Sequence, residues 1–413
     1  MREMKDSRIE WTKTKVKYCC SMISGDGITS QVISDTKDAD NIYPVYGGNG
    51  QRGYYSQYNR DGNYILIGRQ GALAGNVHRT QGKIWAADHA IVVTCNNKTD
   101  IGFMYYLFIM MDLNRYAQDT AAQPGLAVSK IMSLSCIISN IETQKKIATY
   151  IERKYIEIEA IENELQHQIE LLQEYKQSVI TEAVTKGLDK NVAMKDCGVE
   201  WIGKISSKAN IIRLKHFSYM KGRIGWQGLK STDFIDEGPY CITGTDFING
   251  QVNWDTCYHV SEERYQMDPY IQVKIGDLLV TKDGTIGKMA IISKLPNKAC
   301  LNSHLLIVRP LNNKFTNKYL YYVMLSDIFS HYYSLVSNGS TMDSLSQEKM
   351  GNFSFPIYNI DIQHIITDYL DRKCAEIDAV LADKQKQLDT LTEYKKSLIY
   401  EYVTGKKEVP ADA

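Results

Sequence analysis

An internal repeat constrains the fold of this chain more than any other feature of its sequence. Residues 142–185 align without gaps, at an offset of 219 positions, with residues 361–404. In this alignment 19 of 44 positions are identical, among them the pair Gln144 and Gln363. Self-similarity at a fixed offset indicates that the chain consists of two similar halves, each containing one copy of the repeated segment.

Both copies have the apolar spacing of a long helix that packs against another helix. Apolar residues recur every seven positions at Ile151, Ile158, Leu165, Leu172 and Val179, and again at Leu370, Ile377, Leu391 and Leu398, with Lys384 interrupting the second series. The flanking seam positions are assigned to Ile161, Tyr175, Val380 and Tyr394. Each helix would be about 65 Å long and would end near Gly187 or Gly405. A dimerisation coil is the alternative, but the chain already contains both partners of an intramolecular pair.

Each half also has a globular region that differs strongly from the other one. A motif ending in Trp11 or Trp201 opens each half, and short apolar runs at 64–67, 90–93, 277–280 and 305–308 predict strands between glycines. Helices are expected at 101–111 and 317–330. The predicted fold is therefore α+β (mixed), with α/β domains at 1–140 and 195–358 and with spacer helices at 141–187 and 359–406 that pack as a coiled coil.

Composition excludes several classes of protein. No apolar run approaches the roughly 18 residues that span a bilayer, and the charged N-terminus lacks a secretory signal, so a cytoplasmic protein without a membrane partner is expected. The nine cysteines include no Cys-x-x-Cys pair, which argues against a disulfide framework or a zinc site. The 48 basic and 48 acidic residues balance, which excludes coating of nucleic acid by charge alone but not sequence-specific binding.

Signatures of catalysis are also missing from the sequence. Residues 267–270 have only one of the two prolines of an adenine methyltransferase tetrapeptide, and no segment fits a phosphate-binding loop. The Glu-Tyr-Lys triplets at 174–176 and 393–395 imitate a nuclease Glu-x-Lys, but they lie in the predicted helices and are interpreted as exposed pairs or partner contacts. No catalytic residue and no metal site is predicted.

Six motifs, in their order along the chain, carry a resemblance to a known family. They are YPVYGGNGQRGYY (43–55), ILIGRQGALAGNVHR (65–79), WAADHAIVV (85–93), ITGTDFINGQV (242–252), KIGDLLVTKDGTIGKMAII (274–292) and CLNSHLLIVRP (300–310). Together with the two repeated helices, they make the chain resemble the specificity subunits of Type I restriction-modification systems over essentially its whole length.

The resemblance implies a non-catalytic protein that recognises double-stranded DNA. Each globular domain would be a target-recognition domain for one half of a bipartite, gapped sequence. The spacer helices would set the gap and bind two adenine-N6 methyltransferase subunits, and restriction-translocase subunits would join for cleavage. S-adenosylmethionine, ATP and Mg would be bound by those subunits only, so no cofactor is expected here. The helix residues assigned to partner binding are Arg153, Lys154, Glu174, Tyr175, Arg372, Lys373, Glu393 and Tyr394.

Residues that could contact bases or phosphates cluster in the glycine-rich loops. Arg and Lys recognise guanine, and Asn and Gln recognise adenine, through paired hydrogen bonds. On this basis the candidates are Asn49, Gln51, Arg52, Arg69, Gln70, Asn76, His78, Arg79, Arg223, Trp226, Gln227, Lys282, Thr285 and Lys288. For each of them, ordinary surface-loop chemistry is the alternative. His89 and His304 precede equivalent strands and are interpreted as core or turn residues.

A hypothesis from a second class stays open at this point. The chain could be a coiled-coil scaffold whose two β-rich domains bind another kind of ligand, such as a glycan or a protein. Salt-sensitive binding to gapped DNA in the presence of a methyltransferase would separate the two hypotheses, because a scaffold would show none.

Overall fold

Helices and sheets alternate along the chain and form two units. The computed structural model describes residues 10–71, 73–120, 123–223, 229, 233–337 and 344–410. Unit 1 consists of Met1–Gln166 with Gln385–Ala413, and unit 2 consists of His167–Lys384. The predicted α+β fold with two globular parts and two long helices is confirmed.

A six-stranded sheet is the centre of unit 1. In spatial order its strands are Cys20–Ser24, Ala90–Cys95, Arg60–Gly68, Val77–Ala86, Tyr43–Gly47 and Gly50–Tyr55. Neighbouring strands are antiparallel, except for the parallel pair formed by the fourth and fifth strands. Two further pairs join Thr12–Lys15 to Ser135–Ile138 and Gln118–Thr120 to Gln123–Gly125. Helices Ile101–Met111 and Val128–Ser133 and 3-10 turns Val16–Tyr18, Ser30–Val32 and Leu113–Tyr116 complete the unit.

Unit 2 contains a four-stranded sheet with the same order of strands as the first four in unit 1. These strands are Ser218–Gly222, Leu305–Pro310, Leu278–Thr281 and Met289–Ile291. A three-stranded sheet has the order Tyr258–Val260, Phe234–Ile242 and Ala299–Leu301. The two-stranded pairs are Met194–Asp196 with Lys204–Ser206, Asn210–Arg213 with Ser354–Ile357, and Phe247–Ile248 with Gln251–Val252. Its shorter helices are Glu262–Met267, Asn317–Leu325, Asp327–Ser337 and Gln347–Asn352, with 3-10 turns Leu214–His216, Gly244–Asp246, Trp254–Thr256 and Pro269–Ile271.

The four predicted apolar strand runs lie in the centres of these sheets. Residues 65–67, 90–93, 278–280 and 305–308 are all buried. Asp100 caps the helix predicted at 101–111 by accepting the backbone N–H of Phe103 at 2.9 Å. Burial of apolar side chains from both faces of a sheet explains why these runs are continuous rather than alternating.

The helix predicted at 317–330 is instead two helices, and Ser326 separates them. Its backbone is extended (φ −82°, ψ 166°), and its hydroxyl donates to the backbone O of Val323 at 2.6 Å. The next N–H, of Asp327, donates to the Thr181 hydroxyl at 3.0 Å rather than to a carbonyl one turn earlier. The predicted helical stretch is present, but it is interrupted at Ser326, where these side-chain bonds replace the helical ones.

The first spacer helix is Ile141–Lys186, and the second spacer helix is Ile360–Val403. In unit 1 Ile151 and Ile158 of the first helix share a core cluster with Leu398 of the second. In unit 2 Val179 shares a core cluster with Leu370. Gly187 and Gly405, with φ of +79° and +72°, follow the helix ends as predicted.

One detail of the seam differs from the prediction. The four flanking residues Ile161, Tyr175, Val380 and Tyr394 are 46–51% exposed instead of buried. Lys384, which interrupts the apolar series, hydrogen-bonds the side chain of Gln168 across the seam. The polar partner explains how the seam accommodates a lysine.

The two leading tryptophans do not occupy equivalent places in the fold. Trp11 directly precedes the strand Thr12–Lys15, whereas Trp201 lies within the hairpin formed by Met194–Asp196 and Lys204–Ser206 and packs against Tyr332 at 5.2 Å. The hairpin in the second half therefore separates Trp201 in sequence from the strand Asn210–Arg213, although its indole N–H donates at 3.4 Å to the backbone O of Ser354, which pairs with Arg213.

None of the described helices is both long and apolar enough to cross a membrane. Within the described ranges, no group of three or more His, Cys, Asp and Glu side chains is arranged to hold a metal ion.

Candidate nucleic-acid interface

Three connections between strands meet at one end of the unit 1 sheet. They are the turn between Tyr43–Gly47 and Gly50–Tyr55, the glycine loop of unit 1 between Arg60–Gly68 and Val77–Ala86, and the histidine turn of unit 1, residues 87–89. A Cβ on Gly68 would lie 2.3 Å from the backbone O of Gly48, so a larger residue could not bring the first two connections this close.

The meeting of these connections brings together candidates that are distant in sequence. Asn49, Arg52, Gln70 and His89 line one concavity of about 460 Å³. The amide of Asn76 donates to Asn49 Oδ1 at 3.2 Å, which fixes one wall of the concavity. Amide and guanidinium groups converging on one open surface are the chemistry that base edges and phosphates require.

Two more candidates are exposed near this surface. The guanidinium of Arg69 donates to the Ser24 hydroxyl at 3.0 Å, which orients the arginine but leaves most of its hydrogen-bonding capacity free for a ligand. Gln51 is exposed on the strand Gly50–Tyr55.

His78 supports the turn rather than forming part of the open surface. It is half-buried, with its Cε1 placed 3.2 Å from where a Cβ of Gly50 would lie. Burial lowers the pKa of its imidazole, because a charged ring would lose hydration there. The neutral ring is therefore the stable form at this position.

Arg79 departs from the expectation. It forms an ion pair with Glu152 of the first spacer helix and lies 5.8 Å from the centre of the Tyr105 ring. Its neighbour His78 points to the opposite face of the strand, as alternation requires. Arg79 therefore contacts the first spacer helix and does not belong to the loop surface.

Unit 2 repeats this arrangement of loops at the corresponding end of its sheet. Its three connections are the turn Gly244–Asp246, the glycine loop of unit 2 between Leu278–Thr281 and Met289–Ile291, and the histidine turn of unit 2, residues 302–304. The Lys288 ammonium donates to the backbone O of Gly244 at 3.4 Å, which joins the first two. Positive φ values at Gly284 (+71°) and Gly287 (+79°) match those at Gly71 (+86°) and Gly75 (+97°) in unit 1.

The three connections have the same backbone arrangement in both units, which we call the loop frame. The side chains that the loop frame carries differ between the units. Gly68 N–H donates to Asn76 O at 2.8 Å, and Thr281 N–H donates to Lys288 O at 2.9 Å, so these pairs are equivalent. Lys288 and Thr285 are exposed, and Lys282 is half-buried. One frame with different donors is what two domains with different DNA targets would need.

Arg223 is a second departure from the expectation. Its side chain is fully buried, forms an ion pair with Asp268, and donates to the backbone O of Leu301 at 3.0 Å. Its donors are thus used inside unit 2, and it is not available to a ligand. Trp226 and Gln227, proposed beside it, lie outside the described residues.

Sequence reasoning assigned no DNA contact to two histidines that the structure places among the candidate side chains. The side chains of His89 and His304 are 51% and 63% exposed, in turns that start equivalent strands. Their core interpretation is excluded by this exposure, whereas their place in turns is as expected. The available signal was their matched position just before the runs at 90–93 and 305–308.

The helix residues assigned to partner binding lie on the surface in a repeated pattern. Lys154 pairs with Glu157 at 2.6 Å, and its counterpart Lys373 pairs with Glu376 at 3.0 Å. Arg153, Glu174, Arg372 and Glu393 are exposed. Such pairs between exposed groups contribute little to stability, because solvent and salt screen the attraction between the charges.

Comparison with known proteins gives one consistent result. Residues 10–171 and 228–390 match the family described as "Type I restriction modification DNA specificity domain". The chain is similar to the EcoprrI specificity subunit of Escherichia coli, with 38% identity over 149 residues, 36% of this chain and 37% of that protein. It is also similar to the MjaVIII specificity subunit of Methanocaldococcus jannaschii, with 21% identity over 84% of this chain and 76% of that protein.

A solved structure supports the fold. Its reported subject is "complex assembly and conformational transition of the type I R-M system", and one of its chains matches with a TM-score of 0.71 at 12% identity. The match covers 97% of this chain and 100% of that one. At this identity the likeness shows the fold alone.

Proposed function

Because the chain belongs to the Type I restriction-modification DNA specificity family, as a non-catalytic specificity subunit, we propose that it recognises a bipartite, gapped DNA sequence. Each loop surface contacts one half of the target. The observation that carries this proposal is the repeated loop frame with different side chains in units 1 and 2. Two copies of one surface with unlike donors suit a two-part target whose halves differ.

In this proposal the loop side chains divide by position. In unit 1 the contacts come from Asn49, Gln51, Arg52, Arg69, Gln70 and Asn76. In unit 2 they come from Lys282, Thr285 and Lys288, with Trp226 and Gln227 retained as sequence-based candidates. Arg79 and Arg223 are left out because Glu152 and Asp268 already pair with them.

Two adenine-N6 methyltransferase subunits bind the spacer helices in this proposal, and the restriction-translocase subunits join them. The support is two matched pairs of exposed apolar side chains. We define patch 1 as Ile161 and Tyr394, both in unit 1, and patch 2 as Tyr175 and Val380, both in unit 2. Both patches use the same two positions of the repeat, since Ile161 aligns with Val380 and Tyr175 with Tyr394. Large apolar side chains left 46–51% exposed at matching sites are suited to two identical partners.

The two spacer helices set the length of the gap between the half-sites in this proposal, and S-adenosylmethionine, ATP and Mg are bound by the partner subunits. A binding experiment with the chain and its methyltransferase tests the proposal. We expect tight binding to a continuous duplex that contains both half-sites and the spacer between them, with an affinity that falls steeply between 50 and 200 mM salt. An affinity that stays the same as for the intact target when either half-site is scrambled would contradict it.

A further inference from the structure

His89 and His304 occupy one position of the repeated loop frame. The backbone N–H of Arg69 donates to the backbone O of His89 at 2.9 Å, and that of Lys282 donates to His304 O, also at 2.9 Å. One step further, Leu126 N–H donates to Arg69 O and Leu345 N–H to Lys282 O, each at 2.8 Å. Two consecutive equivalent bonds establish that the histidines correspond.

Each imidazole is held through the same ring nitrogen. Nδ1 of His89 lies 2.9 Å from Gln70 Oε1, and Nδ1 of His304 lies 3.2 Å from Asp283 Oδ2. The residues that hold the rings correspond as well, because each follows the residue that bonds the histidine carbonyl. Asp283 can only accept while it is ionised, so the proton of the neutral His304 ring is on Nδ1 and its Nε2 is an acceptor. The carbonyl oxygen of Gln70 imposes the same tautomer on His89.

The Nε2 atoms are therefore the parts of these rings that remain for a ligand. Both side chains are more than half exposed, and His89 lines the concavity that also contains Asn49 and Arg52. In unit 1 the carboxylate of Asp88 lies 3.9 Å from His89 Nε2, which is beyond hydrogen-bond distance. An exposed ring contributes little to core burial, whereas fixing its orientation in advance lowers the entropy cost of binding.

We propose that His89 and His304 are specificity-determining residues that contact a base edge at the same place in their respective half-sites. Gln70 and Asp283 are their positioning residues. The acceptor Nε2 suits an exocyclic amino group in the major groove, such as adenine N6 or cytosine N4. This inference rests on the proposed function, since it assigns residues to the same DNA surface.

The sharpest test replaces His304 with asparagine. The amide of Asn retains an N–H donor for Asp283, but the outward Nε2 is removed. Full-length chain and its methyltransferase are assayed on duplex libraries in which the half-sites are randomised one at a time, beside His89→Asn and Asp283→Ala. The control is His216→Asn, because His216 is exposed at the opposite end of the strand Ser218–Gly222 from the loops. Thermal unfolding of each variant checks that the chain is folded.

We expect His304→Asn to weaken binding roughly tenfold and to relax base preference at one or two positions of a single half-site. His89→Asn should do the same in the other half-site, and Asp283→Ala should relax the position that His304→Asn relaxes. His216→Asn should behave like wild type.

Two results would overturn the inference while leaving the proposed function intact. One is unchanged base preference for a folded His304→Asn complex whose wild-type form recognises a two-part target. The other is a loss of affinity that is uniform over all bases, which indicates a phosphate contact. If the wild-type complex recognises no two-part sequence, the proposed function itself fails, and the inference fails with it.

Discussion

The side-chain oxygen of Gln144, near the start of the first spacer helix, accepts the backbone N–H of Asp100 at 2.8 Å. Gln144 is completely buried, and its amide also donates to the backbone O of Ser139 at 2.7 Å. Gln363 makes the equivalent bonds in unit 2, to Thr316 N–H at 3.0 Å and Tyr358 O at 2.8 Å. One repeated glutamine per half thus joins the spacer helix to the N-cap residue of an earlier helix, Ile101–Met111 or Asn317–Leu325.

Gln144→Ala should destabilise unit 1 by about 2–5 kcal/mol, because it leaves the backbone N–H of Asp100 and the backbone O of Ser139 without partners, at about 1–3 kcal/mol each. Amide hydrogen exchange followed separately in each unit measures the effect. Exchange should accelerate in unit 1 and stay unchanged in most of unit 2. Gln166→Ala, at an exposed position of the same helix, is the control and should change stability by less than about 0.5 kcal/mol. If Gln144→Ala and Gln166→Ala changed stability and amide exchange equally, Gln144 would not anchor the spacer helix.

Arg223→Ala should unfold unit 2 more readily rather than impair base recognition selectively. Removing one member of a buried ion pair costs about 3–5 kcal/mol, because the other charge stays buried without compensation. Asp268→Ala should have a similar effect, and the double variant Arg223→Met with Asp268→Leu should recover part of the loss. Chemical denaturation checks all three. A fully stable Arg223→Ala chain with altered base preference would show that Arg223 contacts DNA after all.

Arg69→Ala should lower recognition of one half-site and leave the base preference at the other half-site unchanged. A two-point arginine contact to a base discriminates by about 1–3 kcal/mol, so affinity for the full target should fall roughly tenfold. Lys282→Ala, at the equivalent position of unit 2, should affect the opposite half-site. Affinities for duplexes with one half-site scrambled provide the measurement. Equal losses at both halves would contradict independent recognition by the two domains.

Tyr394→Glu in patch 1 and Tyr175→Glu in patch 2 should each remove one methyltransferase subunit from the complex, and the double variant should bind none. The contact with the methyltransferase would bury the carboxylate of the introduced glutamate among apolar groups. The carboxylate would have no partner there, so its desolvation would be costly. Native mass spectrometry counts the bound subunits. Ile156→Glu is the control, since Ile156 is 64% exposed but its counterpart in the repeat is Ala375. Retention of both subunits by the double variant would exclude the patches.

The repeat and its apolar spacing predicted the long helices, their ends, the duplicated fold and most of the buried seam. Local periodicity is sufficient for such features, because neighbouring turns of one helix define its buried side. The same spacing was insufficient at Tyr175 and Tyr394, where an apolar side chain is exposed rather than buried. A pattern of apolar residues does not distinguish a core from a binding surface.

Contacts between distant residues explain the remaining differences. Arg223 and Arg79 look like DNA-binding residues in sequence, and only the folded chain places Asp268 or Glu152 beside them. His89 and His304 were interpreted as core or turn residues because apolar strands follow them, and the structure shows exposed turn residues. The domain limits at 1–140 and 195–358 and the individual DNA contacts stay predictions.

The most direct test of DNA recognition by this chain is genome-wide mapping of adenine-N6 methylation. Cells that express the chain with its methyltransferase partner are compared with cells that express the methyltransferase alone. We expect one gapped, two-part motif to be methylated only in the presence of the chain. Methylation of no such motif, although the two proteins are soluble and associated, would contradict the account and favour the scaffold hypothesis.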